Sequence, residues 1–130
     1  MAVNIVNVTT INGITTGLLP SGTSAVVLLP NAASSGQVFK IDQVMACNVT
    51  SSAATATLQY YSNGAVAAGS APSGGSVTAS LAYQITVPPN STVILSDKTT
   101  AFYLVDGNSI TVTSGTASAI SYTCSYELIS

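Results

Sequence analysis

The stretch Ser118-Ala-Ile-Ser-Tyr-Thr-Cys-Ser-Tyr-Glu-Leu-Ile-Ser130 decides the fold of this chain. Apolar or aromatic residues occupy its even positions from Ile120 to Leu128, and polar residues occupy most of its odd positions. This period of two indicates a β-strand with one buried face, because an amphipathic helix would repeat every 3.6 residues. The stretch therefore predicts a long strand over residues 118–130.

A strand of this length needs a partner of similar length, and residues 37–50 supply one. Apolar and more polar residues alternate there as well. We therefore expect the two long strands to pair with each other. The alternation predicts a buried face made of Phe39, Ile41, Met45, Cys47 and Val49, with Lys40, Asp42, Ala46, Asn48 and Thr50 on the opposite face.

Shorter runs of strand-forming residues lie between turn signals in the rest of the chain. Asn12-Gly13 is the strongest hairpin signal, and it predicts a tight turn between strands over residues 3–10 and 14–19. Residues 65–76, which are rich in Ala, Gly and Ser, predict a flexible surface loop. Further strands are predicted over residues 23–29, 55–62, 77–87, 92–96, 101–105 and 109–114.

This spacing of strands indicates an all-β fold. No stretch shows helical periodicity, and roughly eight to ten strands with frequent turns are typical of a sandwich or barrel. We predict a single-domain antiparallel β-sandwich, and we favour a jelly roll because of the two long strands and the connections marked by proline. An immunoglobulin-like sandwich is the alternative, and the absence of tryptophan counts against it. Residues 1–19 are predicted to form an extended N-terminal arm, and residues 20–130 the sandwich domain.

The chain is unusually poor in charge. Charged residues make up 5% of it, with two lysines, no arginine and four acids, against about 25% in an average domain. Two lysines cannot neutralise the roughly six to ten phosphates of a typical nucleic-acid contact. The longest aliphatic run, residues 25–29, is far shorter than the roughly 20 residues of a membrane span, and residues 1–4 show no signal-peptide pattern. We expect no nucleic-acid or membrane partner, and a surface packed against neighbouring proteins.

Residues that could carry out catalysis are sparse. The chain has no histidine, and its acids, Asp42, Asp97, Asp106 and Glu127, lie in separate segments. A general acid–base site is therefore not expected, although a glycosidase-like carboxylate pair remains the enzymatic alternative. Asp106-Gly107-Asn108 predicts a tight turn rather than a calcium site. We expect no enzyme, no cofactor and no metal.

The two cysteines, Cys47 and Cys124, are predicted on the apolar faces of the two long strands. A disulfide between them would be geometrically possible if they were neighbours in register. Because no signal peptide is evident, an intracellular origin favours two free thiols that pack as small apolar groups.

Five stretches in one order along the chain carry a family resemblance. They are Met1-Ala-Val-Asn-Ile-Val-Asn-Val-Thr-Thr-Ile-Asn-Gly13, Gln37-Val-Phe-Lys-Ile-Asp-Gln-Val44, Ile85-Thr-Val-Pro88, Tyr103-Leu-Val-Asp-Gly-Asn-Ser-Ile110 and Ser125-Tyr-Glu-Leu-Ile-Ser130. Together they resemble the successive strands and turns of small virion proteins of tailed phages, especially cyanophages. The two cysteines and the loop over residues 65–76 depart from that pattern.

The resemblance implies a structural β-sandwich protein of a phage particle, without catalysis. It favours a capsid decoration (cement) protein that binds and stabilises the major capsid protein lattice, commonly as a homotrimer. Such a protein would lie on the capsid surface of the virion after synthesis in the host cytoplasm. The alternative is a tail, neck or fibre component that contacts the host surface. A small hydrolytic virion enzyme is disfavoured because histidine is missing.

The expected partner contacts lie mainly in the N-terminal arm, because an extended segment can add a strand to the edge of a neighbour's sheet. Tyr61 joins them because it lies on the polar side of its strand, and tyrosine often anchors protein contacts. The predicted contact residues are Val3, Ile5, Val8, Ile11, Ile14 and Tyr61.

Overall fold

The computed structural model describes residues 8–63 and 66–130. In this part of the chain a short 3-10 helix, Lys98–Thr100, accompanies a set of β-strands, and no helix is long and apolar enough to cross a membrane. The strands are β1 (Ile11–Leu18), β2 (Val26–Pro30), β3 (Val38–Asn48), β4 (Ala54–Ser62), β5 (Ser76–Val87), β6 (Thr92–Ser96), β7 (Phe102–Leu104), β8 (Ser109–Ser114) and β9 (Ile120–Ile129).

These strands form two antiparallel sheets that pack face to face, which confirms the predicted β-sandwich. In sheet A the order is β1-β9-β3, and β6 and β7 pair one after the other with the far edge of β3. In sheet B the order is β2-β8-β4-β5. Strands β1 and β2 therefore lie on one side of the sandwich, and β5, β6 and β7 lie on the other.

The predicted pairing of the two long strands is confirmed. Strands β3 and β9 pair from Val38 opposite Ile129 to Asn48 opposite Ile120. The even positions of β9 point into the core, where Ile120 and Tyr122 are fully buried. Sheet B covers them with inward-facing side chains, among them Leu28, Leu58, Ile110 and Val112.

A β-bulge in β3 makes the predicted alternation of that strand wrong beyond its middle. Ile41 lies opposite Tyr126, whereas Gln43 lies opposite the next residue of β9, Ser125, so Asp42 is an extra residue. One extra residue moves every later side chain to the other face. Val44, Ala46 and Asn48 are therefore buried, whereas Met45 and Cys47 are half-buried and Val49 is exposed.

The bulge also separates the two cysteines. Cys124 lies opposite Val44 and is buried, whereas Cys47 lies opposite Ser121 on the outer face of sheet A. Both are free thiols, which confirms that prediction. Burial raises the pKa of the Cys124 thiol to about 12, with a smaller contribution from the negative charge of Asp42. A thiol with so high a pKa is a poor nucleophile at neutral pH.

The hairpin predicted at Asn12-Gly13 is wrong. Both residues lie inside β1, which pairs with β9 along its whole length, from Ile11 opposite Ile129 to Leu18 opposite Tyr122. An eight-residue ladder against a long strand of the sandwich offers more hydrogen bonds than a short local hairpin. Residues 11–18 of the predicted arm are thus an edge strand of the sandwich. Residues 1–7, with Val3 and Ile5, lie outside the described residues, so the arm as a whole stays a prediction.

A fully buried asparagine fastens the two sheets together at one end of β3. The Asn48 side-chain Nδ2 donates hydrogen bonds to the carbonyl oxygens of Ser52 (2.8 Å) and Val87 (3.0 Å). Its Oδ1 accepts from the Thr50 amide (2.9 Å) and the Thr50 hydroxyl (2.8 Å). Because Asn48 belongs to sheet A and Val87 to sheet B, one amide joins both layers and the turn between them.

A second buried asparagine, Asn31, joins the two sheets at the opposite end of β3. The Asn31 Nδ2 donates to the carbonyl oxygens of Gln37 and Leu104, both at 2.9 Å, and its Oδ1 accepts from the Ser35 hydroxyl at 2.6 Å. Buried polar groups lower the stability of a fold unless they are hydrogen-bonded, and here they are. Each asparagine therefore fixes how one end of the sandwich closes.

The connection between β4 and β5 is attached to the sandwich rather than projecting freely from it. The Val27 amide donates to the Ser70 carbonyl at 2.9 Å, and the Gly69 amide donates to the Val27 carbonyl at 2.8 Å. Since Val27 lies in β2, at the edge of sheet B farthest from β5, this connection crosses the sheet. Val27 and its outward-facing partner Thr111 are consequently buried.

Candidate interaction surfaces

The outer edge of β1 is a regular, uncharged strand edge. All eight residues pair with β9 without a register shift, and no described strand pairs with the other edge. The strand contains no charged residue and no proline, although charges, proline and bulges are the usual means of protecting an edge. This edge is therefore suited to accept a strand from a partner.

Two of the predicted contact residues present apolar side chains on this strand. Ile11 is 59% exposed. Ile14 lies opposite the buried Tyr126 and so faces the inner side of sheet A, yet it remains 36% exposed. Strand β2, the nearest strand of sheet B, has only five residues and leaves this end of β1 uncovered. Strand β1 thus offers apolar groups on both faces.

The residues before β1 are held to the end of β9. The amides of Thr9 and Thr10 donate to the Ser130 carbonyl at 2.7 and 2.9 Å, and the Ser130 amide donates to the Thr10 carbonyl at 3.0 Å. Val8, another predicted contact residue, is half-buried next to this junction. Residues 9 and 10 therefore lie beside the end of β9, at the edge of sheet A.

Tyr61 is already engaged within the chain. Its hydroxyl donates a hydrogen bond to the Gly75 carbonyl at 2.8 Å, and the residue is half-buried. This bond joins the end of β4 to the residues that lead into β5. The role of Tyr61 in a partner contact stays a prediction.

The opposite side of the sandwich exposes more apolar surface than the sequence suggested. Strand β5 lies at an edge of sheet B among the described strands. Four of its apolar residues, Val77, Leu81, Tyr83 and Ile85, are exposed, whereas Val87 is buried. Its pairing with β4 shifts register at three places. Such irregular edges resist strand addition, so a partner would contact this strand through its side chains.

The charged side chains are concentrated on sheet A and its turns. Lys40 lies 3.7 Å from the Glu127 carboxylate and 4.0 Å from that of Asp42, while Asp97 and Lys98 lie in the turn between β6 and β7. The four strands of sheet B contain no charged residue. Half-exposed ion pairs contribute little to stability, so the main effect of this distribution is to leave one sheet neutral.

The structure brings together two acids that the sequence left in separate segments. Asp42 and Asp97 line one shallow groove of about 510 Å³ on sheet A. Asp42, the extra residue of the bulge, lies there with a side chain that is only 15% exposed. Its Oδ1 is buried and has no hydrogen-bond partner among the described residues. The remaining lining residues are Gln43, Lys98, Thr99 and Ser125.

The Asp97 carboxylate in this groove is held in its ionised form. Its Oδ1 accepts hydrogen bonds from the Thr99 hydroxyl at 2.6 Å and the Thr99 amide at 2.9 Å. The hydroxyl bond, followed by the amide bond, lowers the pKa of Asp97 below its usual value. Asp97 is therefore suited to accept hydrogen bonds, and it is not a proton donor at neutral pH. Among the residues that the structure describes, no group of three or more His, Cys, Asp or Glu could hold a metal ion.

The predicted turn at Asp106-Gly107-Asn108 is confirmed. The Asn108 amide donates to the Val105 carbonyl at 3.3 Å, and Gly107 has a φ of +84°, which glycine adopts most readily. The Asn108 Oδ1 accepts from the Asn63 amide at 3.1 Å, and its Nδ2 donates to the Tyr60 hydroxyl at 3.0 Å. The Asn108 side chain therefore braces the ends of β4 and β8.

No protein-family model matches this chain, and neither does any curated protein or solved structure. The comparisons therefore assign no family to the chain.

Proposed function

We propose that this protein is a non-enzymatic structural component of a tailed-phage virion. In this proposal it is a capsid decoration protein that binds and stabilises the lattice of the major capsid protein. It acts as a homotrimer on the capsid surface and is made in the host cytoplasm. The family resemblance gives the setting, and the proposal depends on the edge of β1 that no other described strand covers.

The strand order supports a jelly roll as the finer description of the fold. If β6 and β7 are taken as one interrupted strand, eight strands run in the orders β1-β9-β3-β6/β7 and β2-β8-β4-β5. Two Greek keys folded over each other give eight strands in two sheets, an arrangement common in viral capsid and lectin domains.

The β1 edge suits binding to a protein lattice for two reasons. Its backbone groups are in regular register, so a strand of the capsid protein can extend sheet A by main-chain hydrogen bonds. Ile11 and Ile14 add exposed apolar side chains beside that edge. Each contact buries a modest area, and many contacts repeated over a particle strengthen binding through avidity.

The low charge of the surface fits the same role. Neutral hydroxyl and apolar groups can be buried against a neighbour without the desolvation penalty of an ion. Sheet B, which has no charged residue in its strands, offers such a surface in addition to β1. A protein of this composition would gain stability from being packed against others.

A tail, neck or fibre component that binds a host glycan is the second candidate. The groove lined by Asp42 and Asp97 carries acids, amides and hydroxyls, which are groups that hydrogen-bond sugar hydroxyls. Tyr103, opposite Lys40 in β7, is 56% exposed on the same sheet and offers an aromatic face. The glycan would then be bound by sheet A, and the capsid lattice would not be the partner.

Co-sedimentation with empty capsid shells of the encoding phage tests the first candidate. We expect the wild-type protein to saturate the shells, and Ile11→Lys to lose most of this binding because a lysine at a strand edge opposes strand addition. Val49→Lys is the matched control, since Val49 is 52% exposed and Ile11 59%, and it should bind as the wild type does. Failure of the wild-type protein to bind shells, together with binding to host cells, would favour the second candidate.

A further inference from the structure

A glycine inside β1 is not required by the packing of the residues that the structure describes. Gly13 lies opposite Glu127 within the strand, although glycine weakens a strand and often marks a place where a ligand or another backbone approaches closely. Its φ is not positive, and a Cβ added to it would meet no atom within 4 Å. Gly17 differs, since a Cβ there would lie 3.3 Å from the Tyr122 carbonyl oxygen. Packing therefore accounts for Gly17 and leaves Gly13 to be explained.

The backbone groups of Gly13 point away from the sandwich. Thr10 and Ser130 exchange two backbone hydrogen bonds, of 2.9 and 3.0 Å, and β1 continues from there along β9 without a register shift. Pairs that exchange such bonds alternate in an antiparallel ladder with pairs that do not. The amides and carbonyls of the odd-numbered residues of β1, Gly13 among them, therefore face the open edge.

Gly13 also leaves one side of the Glu127 side chain open. Thr15 Oγ1 and Ser125 Oγ are hydrogen-bonded at 3.1 Å on the outer face of sheet A, and Gly13, two residues from Thr15, lies on the same face. The Glu127 side chain is 38% exposed, and Lys40 approaches its Oε2 at 3.7 Å from the β3 side. On the β1 side of Glu127, Gly13 contributes no side chain.

We propose that Gly13 selects a partner strand that carries lysine or arginine opposite it, so that the basic side chain crosses the glycine and pairs with Glu127. The inference rests on the proposed function, in which the added strand belongs to the major capsid protein. Neighbouring strands lie about 4.8 Å apart, so the added strand would lie about 10 Å from β9. A lysine or arginine side chain and the glutamate side chain together span this distance, with no Cβ of β1 between them.

The charges of the chain favour such a strand. Lys40 pairs with Glu127 Oε2, and a carboxylate accepts at both of its oxygens, so the existing pair leaves room for a second cation. The net charge of the chain is −2, which favours the approach of a basic partner. Gly13 and Glu127 are thus the residues of this edge that distinguish one added strand from another.

Fluorescence anisotropy with synthetic peptides tests the inference without any phage component. The two probes are extended peptides as long as β1, made of alternating threonine and valine, with either lysine or the uncharged glutamine at one central threonine position. We expect the full-length chain to bind the lysine peptide about fivefold more tightly at low salt. This ratio should approach one at about 1 M salt, where the Debye length is about 3 Å.

Two variants test the residues named in the inference. Gly13→Val should bring the ratio close to one because its side chain fills the space over the strand, and Glu127→Gln should do so because it removes the charge. Thr15→Val is the matched control, since Thr15 lies on the same face and the same edge, and it should keep the ratio. Gly13→Val should melt no lower than the wild type, because its Cβ meets nothing within 4 Å and valine favours strands.

Equal binding of the two peptides by the wild type would overturn the inference, and so would the absence of binding by both. An unchanged ratio in Gly13→Val, or a ratio that is also lost in Thr15→Val, would overturn it as well. Because neither peptide contains capsid sequence, these failures leave the co-sedimentation test of the proposed function intact. Conversely, a wild-type protein that does not bind capsid shells would still be expected to distinguish the two peptides.

Discussion

Replacing Asn48 by alanine should remove a large part of the stability of this protein. The Asn48 side chain makes four hydrogen bonds between 2.8 and 3.0 Å and is fully buried. A hydrogen bond contributes about 1 kcal/mol net to stability, and an orphaned buried group costs about 1–3 kcal/mol. The four lost bonds therefore predict that Asn48→Ala lowers the free energy of unfolding by about 4 kcal/mol. Marginal stabilities of about 5–15 kcal/mol make such a loss easy to detect.

Urea unfolding followed by circular dichroism measures this loss, with Asn12→Ala as the control. Asn12 is exposed in β1, so its replacement should change stability by no more than about 0.5 kcal/mol. Asn48→Asp should be more damaging than Asn48→Ala at pH 7, because a carboxylate cannot donate to the Ser52 and Val87 carbonyls. Burial would raise the pKa of that new carboxyl in the folded state, so this variant should regain stability as the pH falls toward 4 and below. A loss below about 1 kcal/mol for Asn48→Ala would refute the idea that this amide closes the sandwich.

Further predictions concern three other parts of the fold: Thr111, the two cysteines and β1. The Thr111 hydroxyl is buried without a hydrogen-bond partner, so Thr111→Val should raise the free energy of unfolding by about 1 kcal/mol in urea titrations, whereas Thr113→Val, at a half-buried position, should leave it nearly unchanged. A thiol reagent at pH 8 should modify Cys47 in the folded protein and Cys124 only after unfolding; equal rates would contradict the burial of Cys124. The raised pKa of Cys124, about 12 against 9.0, means that the unfolded thiol ionises first, so stability should fall from about pH 9 to pH 12, and this fall should be smaller in Cys124→Ala. Deleting residues 1–17 removes most of β1 and should lower the melting temperature by several degrees.

The sheet architecture was largely accessible from local sequence pattern. The alternation over residues 118–130 has no interruption, so it gave the correct inward face of β9. It also indicated the correct partner, since residues 37–50 alternate over a similar length. The turn at Asp106-Gly107-Asn108 was predictable for a similar reason, since a short sequence fixes its own backbone conformation.

The bulge at Asp42 could not be predicted, because no glycine or proline marks it. One extra residue there places Met45 and Cys47 on the outer face of sheet A and buries Asn48, which is the reverse of the predicted alternation. The sequence pattern therefore did not indicate the structural role of Asn48. The hairpin predicted at Asn12-Gly13 is wrong for a different reason. The pairing of β1 with β9 is a long-range contact, and the turn propensity of two residues carries no information about it.

The candidate surfaces were only partly accessible from sequence. The exposure of Ile11 and Ile14 agrees with their selection as contact residues, although the contacts themselves stay a prediction. The exposure of apolar residues in β5 was not predicted, because alternating apolar residues indicate burial in any strand. Leu81 and Tyr83 are exposed because β5 lies at the edge of sheet B. The order of strands in a sheet depends on the whole fold, so the pattern of one strand does not predict it.

Antibody labelling of intact particles of the encoding phage, viewed by electron microscopy, tests the proposed function most directly. Decoration of the capsid lattice predicts label distributed over the facets of the head. The same label should disappear from particles assembled with Ile11→Lys and remain on those assembled with Val49→Lys. Label confined to the tail, neck or fibres would contradict capsid decoration and would point to a contact with the host surface.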